Sequence, residues 1–132
     1  MITVIGEALV DIIVDPTGNV TSVVGGAPLN TARTCARLGI DTTFLGGVST
    51  DAFGGRIMRL LSDDGVNYAL GAQVHEPTTL AIAQIDEQGA ATYRFMMEGT
   101  SAAAVTPDQA LAAVGDDCSV VHAGTLGLVL QP

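Results

Sequence analysis

The feature that most constrains this chain is a change of repeat near Gly25-Gly26-Ala27-Pro28. Before it, Asn19 to Val24 reads as an extended strand. After it, Leu29, Ala32 and Ala36 recur at helical spacing, with Leu38 closing the run. Pro28 suits a first helical turn, where its missing N–H costs nothing. Gly39 fits the position just past the last turn, which favours glycine.

The flanking segments extend this pattern. Ile2 to Ile5 reads as a first strand and Ala8 to Val14 as a second. Asp15-Pro16-Thr17-Gly18 has Asp, Pro and Gly at positions i, i+1 and i+3 of a type I turn, so residues 9–24 are expected to form a hairpin. Thr42 to Val48 reads as a largely buried strand. Ser49, Thr50 or Asp51 then caps a second helix through Leu61 to Gly65, buried through Phe53, Ile57, Leu60 and Leu61. Asp86-Glu87-Gln88-Gly89 signals a second hairpin over residues 78–97. In its return strand, period two places Tyr93, Phe95 and Met97 on one face and Thr92, Arg94, Met96 and Glu98 on the other. Thr106-Pro107-Asp108 opens a short helix through Val114, and Val120 to Ala123 reads as a buried strand. Strands alternating with helices predict an α/β fold, a parallel sheet covered by helices. The two hairpins fall outside that alternation and are expected to form a small sheet of their own.

Charge narrows the function. Fourteen acids face five bases among 132 residues, a formal net charge of −9. Every base is an arginine: Arg33, Arg37, Arg56, Arg59 and Arg94. Such a surface repels a phosphate backbone, so no nucleic-acid partner is expected. Without lysine there is no P-loop of the GxxxxGK[ST] kind and no lysine Schiff base. Gly6 does not begin a GxGxxG stretch, so the dinucleotide fingerprint fails as well. Cys35 and Cys118 form no CxxC and no zinc spacing with His75 and His122; both lie in apolar stretches and are expected to be buried, reduced thiols. The 48% hydrophobic, 14% charged composition argues against disorder. No apolar run reaches the roughly 18 residues of a membrane span. The start Met-Ile-Thr-Val-Ile-Gly-Glu lacks the basic segment of a signal peptide, so the chain is expected to be cytoplasmic.

One constellation carries chemistry. In open parallel sheets, ligands collect beyond the carboxyl ends of the strands. Asp11 lies just past the first strand, and Gly25-Gly26 opens the first helix, whose N–H groups are free to donate. Glycine there lets a ligand approach the backbone. Asn30, one turn in, both donates and accepts. A carboxylate, bare amides and a carboxamide together suit a polyhydroxylated ligand. The same residues also read as a flexible connector, a surface acid and a first-turn polar residue.

The run Gly25-Gly26-Ala27-Pro28-Leu29-Asn30-Thr31-Ala32, followed by Ala36-Arg37-Leu38-Gly39, resembles the first signature of the ribokinase-like (PfkB) sugar kinases. So do Gly6-Glu7-Ala8-Leu9-Val10-Asp11 and the stretch from Leu45 to Gly54. Pro77-Thr78-Thr79 and Gly99-Thr100-Ser101-Ala102 match later family positions, in order. The resemblance implies a Rossmann-like α/β fold whose small sheet acts as a lid, and transfer of the ATP γ-phosphoryl group to a sugar hydroxyl. It implies that Asp11, Gly26 and Asn30 hold the sugar hydroxyls, that Gly25 permits the close approach, and that the second hairpin closes over the sugar. Arg94, with Glu98 beside it, has the reach to touch a ligand under that lid. ATP and Mg2+ belong to the complete enzyme, and none is expected on this chain alone. The family's second signature, Asp-Thr-x-Gly-Ala-Gly-Asp, which supplies the catalytic aspartate and an anion hole, has no match here. The chain is therefore expected to be the N-terminal, sugar-binding portion, without the nucleotide-binding half and with no catalytic or metal residue of its own. Keto-deoxygluconate kinases of the family commonly place a tyrosine and an arginine just before the Gly-Thr-Ser-Ala stretch. Met97-Glu98 stand there instead, so a neutral sugar such as fructose is favoured over ketodeoxygluconate or ribose. Tyr93 and Phe95 read as lid packing and His122 as a core histidine. The remaining alternative is a non-catalytic binding or assembly module, a homodimer paired through the lid sheet.

Overall fold

The computed structural model describes residues 1–129. Its elements run β1 (Ile2–Ile5), β2 (Leu9–Val14), β3 (Val20–Gly25), α1 (Ala27–Arg37), β4 (Thr42–Leu45), α2 (Ala52–Asp63), β5 (Asn67–Tyr68), β6 (Thr79–Ile85), β7 (Ala91–Met96), α3 (Pro107–Ala113) and β8 (Val120–Ala123). Single 3-10 turns follow β7 at Ser101–Ala103 and β8 at Leu126–Leu128.

Two four-stranded sheets result. One is parallel throughout, in the order β5-β4-β1-β8. The other has the order β3-β2-β6-β7: both hairpins are antiparallel, and β2 and β6 join them in parallel. The hairpins close as their turn residues demand, with Gly18 N–H donating to the Asp15 carbonyl and Gly89 N–H to the Asp86 carbonyl, each at 3.0 Å. Hydrogen bonds from Thr17 and Asn19 hold the Asp15 carboxyl down at about 2.

Both sheets contribute to one core. Val4 and Phe44 of the parallel sheet, Leu29 and Ala32 of α1, Ile57 and Leu61 of α2, and Val10 and Val24 of the hairpin form a single buried cluster. Fully burying a side chain such as Leu29 contributes about 1.5–3 kcal/mol. Asp51 caps α2, accepting from Gly54 N–H at 2.8 Å, and α3 begins with a Thr106–Gln109 capping box.

Four expectations are corrected. The strand starting at Thr42 ends at Leu45, because Gly46 and Gly47 pass against the Gly6 and Ser101 carbonyls where a Cβ would overlap; Val48 is buried beyond the strand. In α2, Phe53 and Leu60 are only partly buried. β8 is exposed along its whole length, Val120 by 54% and Val121 by 52%; among the described residues it stands at the edge of its sheet and pairs only with β1. A run as short as Val120-Val121-His122-Ala123 does not distinguish an interior strand from an edge strand. Cys35 and Cys118 are free but half-buried rather than buried. Among the described residues, no helix is long and apolar enough to cross a membrane.

Candidate functional site

The β2–β3 register pairs Leu9 with Gly25 and Asp11 with Val23, which puts Asp11 and Gly25 on one face, diagonally opposed. A Cβ on Gly25 would overlap the Asp11 carboxylate at Oδ2. The two positions are fitted to each other. Asp11 is half-buried, and that burial pushes its carboxyl above the usual value.

Gly26 turns the chain from β3 into α1. Its φ of 110° favours glycine, and a Cβ there would stand 2.6 Å from the Glu7 carbonyl oxygen and 3.2 Å from Ala8 Cα. The start of α1 therefore lies against the β1–β2 link, beside Asp11. No side chain caps α1. The Gly26 carbonyl accepts the Asn30 N–H at 2.9 Å, so Asn30 stands one turn above it. The Asn30 side chain is exposed and, among the described residues, has no hydrogen-bond partner. A partly desolvated carboxylate, an uncapped helix start and a free carboxamide can grip a ligand bearing several hydroxyls.

Arg94 is placed elsewhere. It pairs with Ile82, which pairs with Ile12, and Ile12 points to the face opposite Asp11. The rung through Asp11 runs instead to Ala81 and Phe95, and the next one links Ile13, Ala83 and Tyr93. The Tyr93 and Phe95 rings, 6.1 Å apart at their centroids, thus share the Asp11 face. Period two in β7 shows which residues point together; the register with β2 decides where they point. His122, expected in the core, is exposed on β8.

Two carboxylates hold this region together: Glu7, to which sequence reasoning gave no role, and Asp51, expected only as a helix cap. Glu7, only 2% exposed, accepts from the Thr125 hydroxyl at 2.6 Å, the Thr125 N–H at 3.2 Å and the Gly127 N–H at 3.1 Å. It pins the turn after β8 to the end of β1. Asp51 also accepts from Thr78, through its N–H at 2.8 Å and its hydroxyl at 2.7 Å. Burial pushes the Asp51 carboxyl up, but these bonds with that of Gly54 outweigh it and hold the group below the usual value. Beside it, the buried Thr79 and Thr100 hydroxyls meet at 2.7 Å, and Ala102 N–H donates to Thr79 Oγ1 at 3.0 Å. These bonds anchor the second sheet at the base of β6, leaving its hairpin turns exposed. An acid interrupting an apolar run at a strand end was the available signal for Glu7. Among the described residues, no three His, Cys, Asp or Glu side chains group as they would around a metal ion.

Comparison with known proteins bears on this geometry. Residues 1–131 match the model of the pfkB family carbohydrate kinases. A fructokinase of Rhizobium leguminosarum bv. trifolii is 35% identical over 136 residues, covering the whole of this chain and 41% of the relative. The crystal structure of a fructokinase from Xylella fastidiosa superposes with a TM-score of 0.82 at 26% identity, over 92% of this chain and 41% of that one. A structure of fructokinase from the same organism with bound ATP gives 0.74 at 25% identity, over the same shares of the two chains. The chain thus spans about 41% of the length of these relatives.

Proposed function

The chain belongs to the pfkB family of carbohydrate kinases, and from that premise we propose that it supplies the sugar-binding part of an ATP-dependent kinase of the fructokinase type. The observation that carries this reading is the Asp11 carboxylate seated on Gly25 beside the uncapped start of α1, with Asn30 free one turn above. Asp11 accepts hydrogen bonds from sugar hydroxyls, Asn30 gives and takes them, and Gly25 and Gly26 keep the approach open. Arg94 starts from the other face of its sheet and is left out of this group.

The likeness to an ATP-bound fructokinase supports ATP as the donor. Mg2+ and the nucleotide are assigned to the complete enzyme, of whose relatives this chain spans about 41%. When bound, that pair delivers a phosphoryl group to a sugar hydroxyl. This chain's part is to bind and orient the sugar and, through the second sheet, to exclude water. The same reading places the protein in the cytoplasm, where ATP is found.

Titration calorimetry with fructose, ribose and ketodeoxygluconate tests the proposal. Heat with fructose, lost in Asp11→Ala, is expected; no binding of any of the three overturns it. A second reading, assembly through the second sheet, rests on Val23, Tyr93 and Phe95, which lie 51%, 59% and 44% exposed on one face ending at the free edge of β7. It predicts a sharp dimer in sedimentation whose formation survives Asp11→Ala.

A further inference from the structure

Four of the five arginines of this acidic, lysine-free chain lie on α1 and α2. Between those helices and β3 is a cavity of about 430 Å³ that Arg33, Arg56 and Arg59 line together, over Val24 and Leu60. We infer that this cavity binds a small phosphate-bearing anion.

Two of the three guanidiniums are already held in place. Arg33 Nε donates to Asp64 Oδ2 at 2.6 Å, and the Arg33 side chain is 16% exposed. Arg56 donates through Nη1 to Ser22 Oγ at 2.7 Å and through Nη2 to the Ser22 carbonyl at 3.1 Å, and lies 5.9 Å from the centre of the Phe53 ring. Each guanidinium carries five N–H donors in a rigid fork. Among the described residues, Arg33 uses only Nε, Arg56 one donor on each Nη, and Arg59 none. The rest are free for a ligand.

The charges do not cancel internally. Asp64 is shared between Arg33 and Arg37, the latter at 2.7 Å. Asp63 also lines the cavity, yet no carboxylate comes within 4.0 Å of Arg56 or Arg59 among the described residues. Arg56 and Arg59 are three residues apart on one helix, a spacing at which like charges repel. An anion with several acceptor oxygens relieves that repulsion and engages forks from both helices, a geometry that suits phosphate. Because the whole chain carries −9, this groove stands out as its place for an anion.

The inorganic-phosphate arm of the test is independent of sugar binding. The melting temperature and calorimetric affinity are measured with sodium phosphate and with fructose 6-phosphate, each against sodium chloride at equal ionic strength. Stabilisation by phosphate beyond chloride is expected. Arg59→Ala removes an exposed, unpaired side chain, so it should leave the melt in chloride unchanged while weakening phosphate binding about tenfold, the effect of losing one charge-assisted contact. Arg94→Ala, which removes an arginine outside the cavity lining, should leave it unaltered. Equal affinities for the two anions identify the phosphate group alone as the determinant, and tighter binding of the ester that survives Asp11→Ala but is weakened by Arg59→Ala adds the sugar. Indistinguishable melts in phosphate and chloride overturn the proposal, as does equal weakening by Arg59→Ala and Arg94→Ala.

Discussion

The Asp11 carboxylate occupies the volume that a side chain on Gly25 would need. Gly25 is therefore glycine for space rather than for backbone freedom, since its φ is not positive. Gly25→Ala should push the carboxylate off its seat and weaken fructose binding about tenfold or more, with an unchanged circular dichroism spectrum. Gly26→Ala differs in kind. A side chain there is strained by φ of 110° and crowded by the Glu7 carbonyl at 2.6 Å, so it should lower unfolding stability by about 1–3 kcal/mol in urea titration.

Burial raises the Asp11 carboxyl above 3.8, and the sign of its linkage follows. Between its unfolded and raised folded values the native state holds the extra proton, so this group's contribution to stability falls as pH rises through that window. At neutral pH the folded protein keeps a charge it would be more stable without. Asp11→Asn should therefore melt at a higher temperature at pH 7 and lose that advantage below pH 3.8, while fructose binding weakens. A lower melting temperature at pH 7 contradicts this.

Asp51 has the opposite sign. Bonds from Gly54 and Thr78 outweigh its burial and hold it below 3.8, so its contribution is present above that value and lost as pH falls through the folded value. Asp51→Ala removes a helix cap and two bonds to the base of β6, for an expected loss of about 1–2 kcal/mol at pH 7. Amide exchange should quicken at Thr78 as well as in the first turn of α2. Quickening confined to α2 would mean that Asp51 is a helix cap and nothing more.

Glu7→Ala leaves the Thr125 and Gly127 donors without the carboxylate that binds them, at an expected cost of about 3 kcal/mol. Glu7→Gln keeps the volume but replaces one acceptor oxygen with a donor. Both should speed amide exchange at Thr125 and Gly127, the alanine variant more. Unchanged exchange at both amides rules out the latch.

Local chemistry made most of the fold legible. Asp15-Pro16-Thr17-Gly18 and Asp86-Glu87-Gln88-Gly89 specify their hairpins because turn geometry is a property of four residues, and Asp51 and Thr106 specify helix starts for the same reason. What stayed hidden depends on partners distant in the chain. Nothing local to Val120-Val121-His122-Ala123 says that β8 stands at the edge of its sheet among the described residues, or that β2 pairs with β6 in the register that turns Arg94 away from Asp11. Two-residue β5 is too short to carry a period. Glu7 was visible as an acid in an apolar run, but its donors lie 118 and 120 residues away. Asp11, Gly25, Gly26 and Asn30 could be read as a group because they sit within one hairpin and the helix turn that follows it.

The most direct test is a fructose titration followed by amide resonances. The Gly25 and Gly26 amides and the Asn30 side-chain NH₂ should shift together and fit one dissociation constant, and Asp11→Ala should abolish all three shifts. Shifts that fit different constants, or that persist in Asp11→Ala, would show that these residues do not hold one ligand.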